Sequence, residues 1–250
     1  MLTGTVLTGT ILNALGILVG GLMGLMMPRQ FTQTTQLAMR GLMGVFTVII
    51  GLTITWNSIH GNLLQILEQL GILIASLITG RLVGRLVGIQ RGLNKLGKYA
   101  STRFAAAKRD DPNRLNEGFL ICALLFCAGP LGPIGAVEDG LMGYWEPLAI
   151  KAVMDGLAAM GFVAIYGWGV VLSAVPVLAY QGTITLLVQR LVPYLGDHAL
   201  LDPVNAAAGM LIFCVSLIVL ELKKLQLGDY LPAMVMAPLL NWLVQTQFHH

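Results

Sequence analysis

Apolar residues run in long blocks along this chain, with the polar positions gathered between them. A helix that crosses a bilayer needs about 20 mostly apolar residues. Eight stretches meet that length: roughly 5–27, 36–56, 63–83, 117–137, 148–167, 169–192, 204–222 and 229–245. The pattern predicts an all-α polytopic membrane protein with about eight transmembrane helices. Only Tyr166-Gly167-Trp168-Gly169 divides the fifth block from the sixth, and a count of seven follows if that division is dropped. The opening Met1-Leu2-Thr3-Gly4 has no basic n-region, so the first block reads as a retained span.

The blocks also repeat. Gly9-Thr10-Ile11-Leu12-Asn13-Ala14-Leu15-Gly16-Ile17-Leu18 returns 160 residues later as Gly169-Val170-Val171-Leu172-Ser173-Ala174-Val175-Pro176-Val177-Leu178. Gly44-Val45-Phe46-Thr47-Val48-Ile49-Ile50-Gly51-Leu52 aligns with Gly209 to Leu217 at an offset of 165, and Leu70 with Leu231 at 161. Three ordered pairs at a nearly constant offset predict an inverted repeat of three helices, spans 1–3 and spans 6–8. Residues 1–250 then form a single membrane domain. It comprises a first repeat (1–89), a basic connection (90–116), two inserted spans (117–168) and a second repeat (169–245).

Charge orients the spans. The chain is 56% hydrophobic and 11% charged, with a mean hydropathy of +0.78. An ordinary soluble domain carries about 25% charged residues, so that class is excluded. Arg81, Arg85, Arg91, Lys95, Lys98, Arg103, Lys108, Arg109 and Arg114 crowd one short connection, which marks it as cytoplasmic. Arg29, Arg40, Lys223 and Lys224 fall on the same side, so both termini are expected outside. Leu93, Leu96, Tyr99 and Phe104 recur among the basic residues, as in an amphipathic helix on the inner leaflet. Anionic lipid is the expected partner, at about 1 kcal/mol per basic residue near the surface. Nucleic acid is not expected, because aromatic residues are too few there. Cys122, Cys127 and Cys214 lie in apolar runs and read as small core residues.

Candidate chemistry concentrates in the middle of the chain. Gly129-Pro130-Leu131-Gly132-Pro133-Ile134-Gly135 should interrupt span 4, giving a half-helix followed by irregular backbone. Glu138 and Asp139 follow at once. Lys151 and Asp155 lie four apart, on one face of span 5. A charge at that depth costs at least ~2.5–3.5 kcal/mol and calls for a partner or water. Asn13 and Ser173 hold equivalent places in the repeated phrase, and Tyr180 and Gln181 lie between Pro176 and Gly182, where span 6 should break. The expected solute- or ion-binding set is Glu138, Asp139, Lys151, Asp155, Asn13, Ser173, Tyr180 and Gln181. No enzyme motif, metal-ligand cluster or cofactor fingerprint appears in the sequence, so none is expected.

The opening Gly9 to Gly21 phrase, the run Glu117-Gly118-Phe119 to Cys127, and Gly135-Ala136-Val137-Glu138-Asp139-Gly140-Leu141 resemble one family along nearly the whole chain. Lys151-Ala152-Val153-Met154-Asp155-Gly156, Ser173 to Gly182, and Leu231-Pro232-Ala233-Met234 join them. The resemblance is to the bacterial inner-membrane family known as domain of unknown function 554. It implies a multi-pass protein of the bacterial inner membrane and brings no particular substrate or cofactor. The expected function is a secondary transporter or permease for a small solute or ion, cation- or proton-sensitive. An oligomeric ion channel and a non-transporting membrane scaffold are the alternatives, and a homo-oligomer is left open.

Overall fold

A computed structural model describes residues 7–26, 32–106, 114–195 and 198–248 of the chain. Arg29, Lys108, Arg109 and Asp197 lie outside the described residues. Among those described, every regular element is helical: α1 (Thr8–Met26), α2 (Gln33–Asn57), α3 (Leu63–Val87), α4 (Ile89–Ala106), α5 (Arg114–Ala128), α6 (Leu131–Leu141), α7 (Glu146–Tyr166), α8 (Gly169–Leu172), α9 (Ala174–Leu195), α10 (His198–Val219), the 3-10 turn Leu227–Tyr230 and α11 (Ala233–Phe248). Seven helices are long and apolar enough to cross a membrane, and an eighth span arises if the bent pair α5 and α6 counts as one. Leu64, Trp56 and Leu86 are 77%, 76% and 86% exposed. Water penalises such surface, whereas acyl chains accept it.

Two sequence expectations need correction. Irregular backbone was expected after the first half of span 4, but the chain bends by 61° and resumes as a second helix, α6. Pro130 caps that helix and Pro133 is its third residue. Amides in a first turn have no intrahelical acceptor, so proline removes nothing there and its fixed φ suits the start. The same logic moves the expected break in span 6. Pro176 sits in the first turn of α9, and the irregular residue is Ser173, between α8 and α9. There the Ser173 amide donates to the Val170 carbonyl at 3.1 Å, tightening the turn.

The chain forms two compact units. The first comprises Met1–Met43 and Leu93–Leu187, and its main seam is α1 against α7. A Cβ on Gly16, Gly20 or Gly24 would strike the backbone of Ala152, Gly156 or Met160 in turn, so the helices touch main chain to main chain. Contacts that rise together in number mean that α1 and α7 run parallel. α7 follows α1, α2, α3 and the bent pair, so it can run parallel to α1 only if α5 and α6 together make one crossing. The core beside this seam is built from Ile17, Ile121, Phe126, Val163, Tyr166 and Val170. In α4, Ala100 is buried whereas Leu96 and Tyr99 are 40% and 41% exposed. Ala100 is thus the anchor of that helix in the core, and Leu96 and Tyr99 are not.

The second unit comprises Gly44–Gly92 and Val188–His250. Here α3 packs on α10 and α11 around Leu73, Ala206, Ala207 and Ala237. Gly80 meets Ala233 and Gly84 meets Asp229, while Gly51 meets Gly209 and Gly44 meets Leu220. One number rises as the other falls, so α3 lies antiparallel to α11 and α2 to α10. At one end of α3, the Asp229 carboxylate accepts from the Gln90 amide at 3.0 Å, and the Gln90 side-chain oxygen accepts from the Gly228 amide at 2.8 Å.

Candidate functional site: a buried polar seam

Helical spacing places Lys151 and Asp155 on one side of α7, where it faces α1. The Lys151 ammonium donates to Asp155 Oδ2 at 2.6 Å, with the two residues only 5% and 9% exposed. Asn13 of α1 donates its amide to Gln181 Oε1 of α9 at 3.1 Å and lies beside the Asp155 carboxylate. The bend before α6 completes this layer. A Cβ on Gly132 would lie 3.2 Å from Lys151 Cε and 3.3 Å from Gln181 Nε2, so the glycine leaves the first turn of α6 open to both side chains. Asn13 Oδ1 and Gln181 Nε2 are buried and have no hydrogen-bond partner among the described residues. Each therefore has capacity for a further polar group.

A second layer forms where α6 ends and α1 begins. Asp139 Oδ2 accepts from the Gly9 amide at 3.1 Å and the Thr10 amide at 3.4 Å. These are first-turn amides of α1, which have no intrahelical acceptor, and the helix dipole favours an anion there. Asp139 is thus an N-terminal cap supplied from a distant helix. Thr185 donates to the Ala136 carbonyl at 3.0 Å, so its oxygen, 3.2 Å from the Thr10 hydroxyl, serves Thr10 as acceptor. Glu146, in the first turn of α7, is close enough for its charge to act on Asp139.

Glu138 differs from all of these. It is fully buried on α6, and neither carboxylate oxygen has a hydrogen-bond partner among the described residues. A carboxylate left ionised and alone in that position would cost several kcal/mol.

Of the eight expected residues, the structure joins Asn13, Lys151, Asp155 and Gln181 in one layer and gives Asp139 a capping role in the other. Two fall elsewhere. The Ser173 hydroxyl donates to the Val170 carbonyl of its own turn at 2.5 Å. Tyr180 is 39% exposed on the outer face of α9, one helical step from the fully buried Gln181. Thr10, Thr185 and Glu146 complete the seam without having been expected. A Thr at the start of one repeat helix and an acid ahead of Pro147 are weak marks in a sequence, since such residues more often cap or back-bond.

Residues 8–242 match the family described as protein of unknown function DUF554. The chain belongs to the DUF554 family. It is 25% identical over 236 residues to a Bacillus subtilis (strain 168) protein described as "Uncharacterized membrane protein YdfK", covering 94% of this chain and 96% of that one. It is 22% identical over 230 residues to an Escherichia coli (strain K12) protein described as "Uncharacterized protein YqgA", covering 92% and 94%. No solved structure matches the chain. The DUF554 match encloses the whole polar seam, from Gly9 to Thr185.

Proposed function

We propose that this DUF554 protein is a secondary transporter or permease for a small solute or ion, and that a cation or proton drives it. The observation that carries this reading is Glu138, a fully buried carboxylate with both oxygens unpartnered among the described residues, held on α6, which meets α5 at a 61° bend. Charged residues within spans are costly and mark ion and proton pathways by default. The Lys151–Asp155 pair, Asn13 and Gln181 form the neighbouring polar layer, and across the whole seam the carboxylates of Glu138, Asp139, Glu146 and Asp155 outnumber Lys151. Such a balance suits a cation better than an anion.

The architecture we infer is the inverted repeat of spans 1–3 and 6–8, in the inner membrane with both termini outside. Within the second unit, α2 meets α10 and α3 meets α11, each antiparallel, as counterparts in such a repeat do. Thr10, Asn13 and Gly21 of α1 meet Thr185, Gln181 and Val171 in the same sense within the first unit. The exposed Lys95 and Lys98 of α4 would rest on anionic lipid.

The test is flux. Protein reconstituted into vesicles with a pH-sensitive dye inside should show saturable proton movement driven by an inward Na+ or K+ gradient. Glu138→Gln should abolish it while leaving the protein monodisperse. Ohmic conductance in wild type would favour a channel instead, and no flux under any gradient would favour a scaffold.

A further inference from the structure

The second unit holds a cavity of about 120 Å3 that shares no residue with the polar seam. Its polar wall includes Ser58, His60, Asp202, Asn241 and Gln245, and Ile72, Leu73 and Ala206 give it an apolar side. We propose that this cavity binds a small organic amine, its ammonium group on Asp202 and the amide oxygens of Asn241 and Gln245, its carbon atoms against Ile72 and Leu73.

Size, rigidity and charge each favour that ligand class. One water needs only about 10–15 Å3 of such space, so the cavity has room for a small molecule of several non-hydrogen atoms. Its wall is fixed: Gln69 Oε1 accepts from the His60 amide at 3.0 Å, and Gln69 Nε2 donates to the His60 carbonyl at 2.7 Å. Ser58, 5% exposed, already donates to the Ile54 carbonyl at 2.8 Å, which leaves its oxygen as an acceptor. Among the described residues lining the cavity, Asp202 is the one that carries a full charge irrespective of histidine protonation. His60 Nδ1 stands 3.8 Å from Asp202, an ion-pair distance and too long for a hydrogen bond.

A comparison of the two ends of α3 and α11 adds an independent argument. At the offset of 161 that aligns Leu70 with Leu231, Asn241 and Gln245 take the places that Gly80 and Gly84 hold on α3. The glycines close their end by letting Ala233 and Asp229 come to backbone contact. The amides hold the other end open, on the side that the basic residues mark as outside. Asn241 is only 7% exposed, so its amide meets the cavity from a buried position.

Calorimetric titration of the full detergent-purified chain with ethanolamine hydrochloride tests the assignment, with sodium propionate as an anion of similar size. Wild type should bind ethanolamine saturably and propionate not at all. Asp202→Asn should weaken ethanolamine at least 10-fold, and Gln245→Glu, a change at an exposed position, should tighten it several-fold. Asp155→Asn, in the other unit, should leave ethanolamine binding unchanged, which separates this site from the transport reading. Absence of saturable binding to wild type, equal binding of propionate, full binding by a folded Asp202→Asn, or weaker binding by Gln245→Glu would each overturn it.

Discussion

Both units pack their helices through glycine, yet they bury very different things beneath it. In the first, α1 and α7 run parallel, and their seam contains an ammonium group, carboxylates and two amides. In the second, α3 meets α10 and α11 around leucine and alanine, and its ionisable groups sit at the ends of the helices. Close backbone approach therefore does not require an ion pair at the contact, because the second unit achieves it with Gly51, Gly80, Gly84 and Gly209 set against main chain. The charges of the first unit are a separate expense, and they are the stronger mark of function.

The largest effect should come from dividing the ion pair. Asp155→Ala strands a buried ammonium and should lower stability by ~3–5 kcal/mol, whereas Lys151→Met combined with Asp155→Asn should recover most of that loss. Equilibrium unfolding in mixed micelles reads both. A double variant that unfolds as easily as Asp155→Ala would show that the pair is not what holds the seam.

Glycine replacement should come next and should treat the units alike. Gly20→Leu in the first and Gly80→Leu in the second each push a side chain into opposing main chain, at ~1–3 kcal/mol or more. If only Gly20→Leu destabilises, the α3 and α11 contact is looser than its geometry indicates. The smallest effect concerns two carboxylates that cap helices across space. Asp139→Ala uncaps α1 and Asp229→Ala uncaps α4, each at ~1 kcal/mol. Amide hydrogen exchange should quicken at Gly9 and Thr10 in one variant and at Gln90 in the other.

The spans were legible because hydrocarbon demands long apolar runs, and a local rule such as i, i+4 spacing brought Lys151 to Asp155. Long-range partners were not. Repeat alignment pairs Asn13 with Ser173, but Asn13 touches Gln181. Antiparallel helices meet at equivalent positions only where they cross. Away from the crossing, each residue faces the counterpart of a residue equally far beyond it. On the same ground Gly21, aligned with Gln181, touches Val171 near Ser173. Tyr180 and Gln181 could not be ranked by sequence either, since adjacent residues point about 100° apart and composition does not tell which faces lipid. The role of Asp139 depends on α6 being a helix that ends beside the start of α1, and the prolines argued against any helix there.

The parallel seam also sets a timetable for assembly. α1 leaves the ribosome first, carrying Thr10, Asn13 and a stripe of bare glycine, and its partners at Lys151, Asp155, Gln181 and Thr185 are still unmade. At about 5–20 residues per second, the last of them follows α1 by roughly ten to thirty seconds. Through that interval the first helix must persist in lipid, or beside an insertion factor, with its amide side chain unanswered and its most adhesive face exposed. The nascent protein is therefore most open to mispairing with another membrane helix in the interval after α1 emerges, and a chain cut short before Thr185 should be degraded rather than stored.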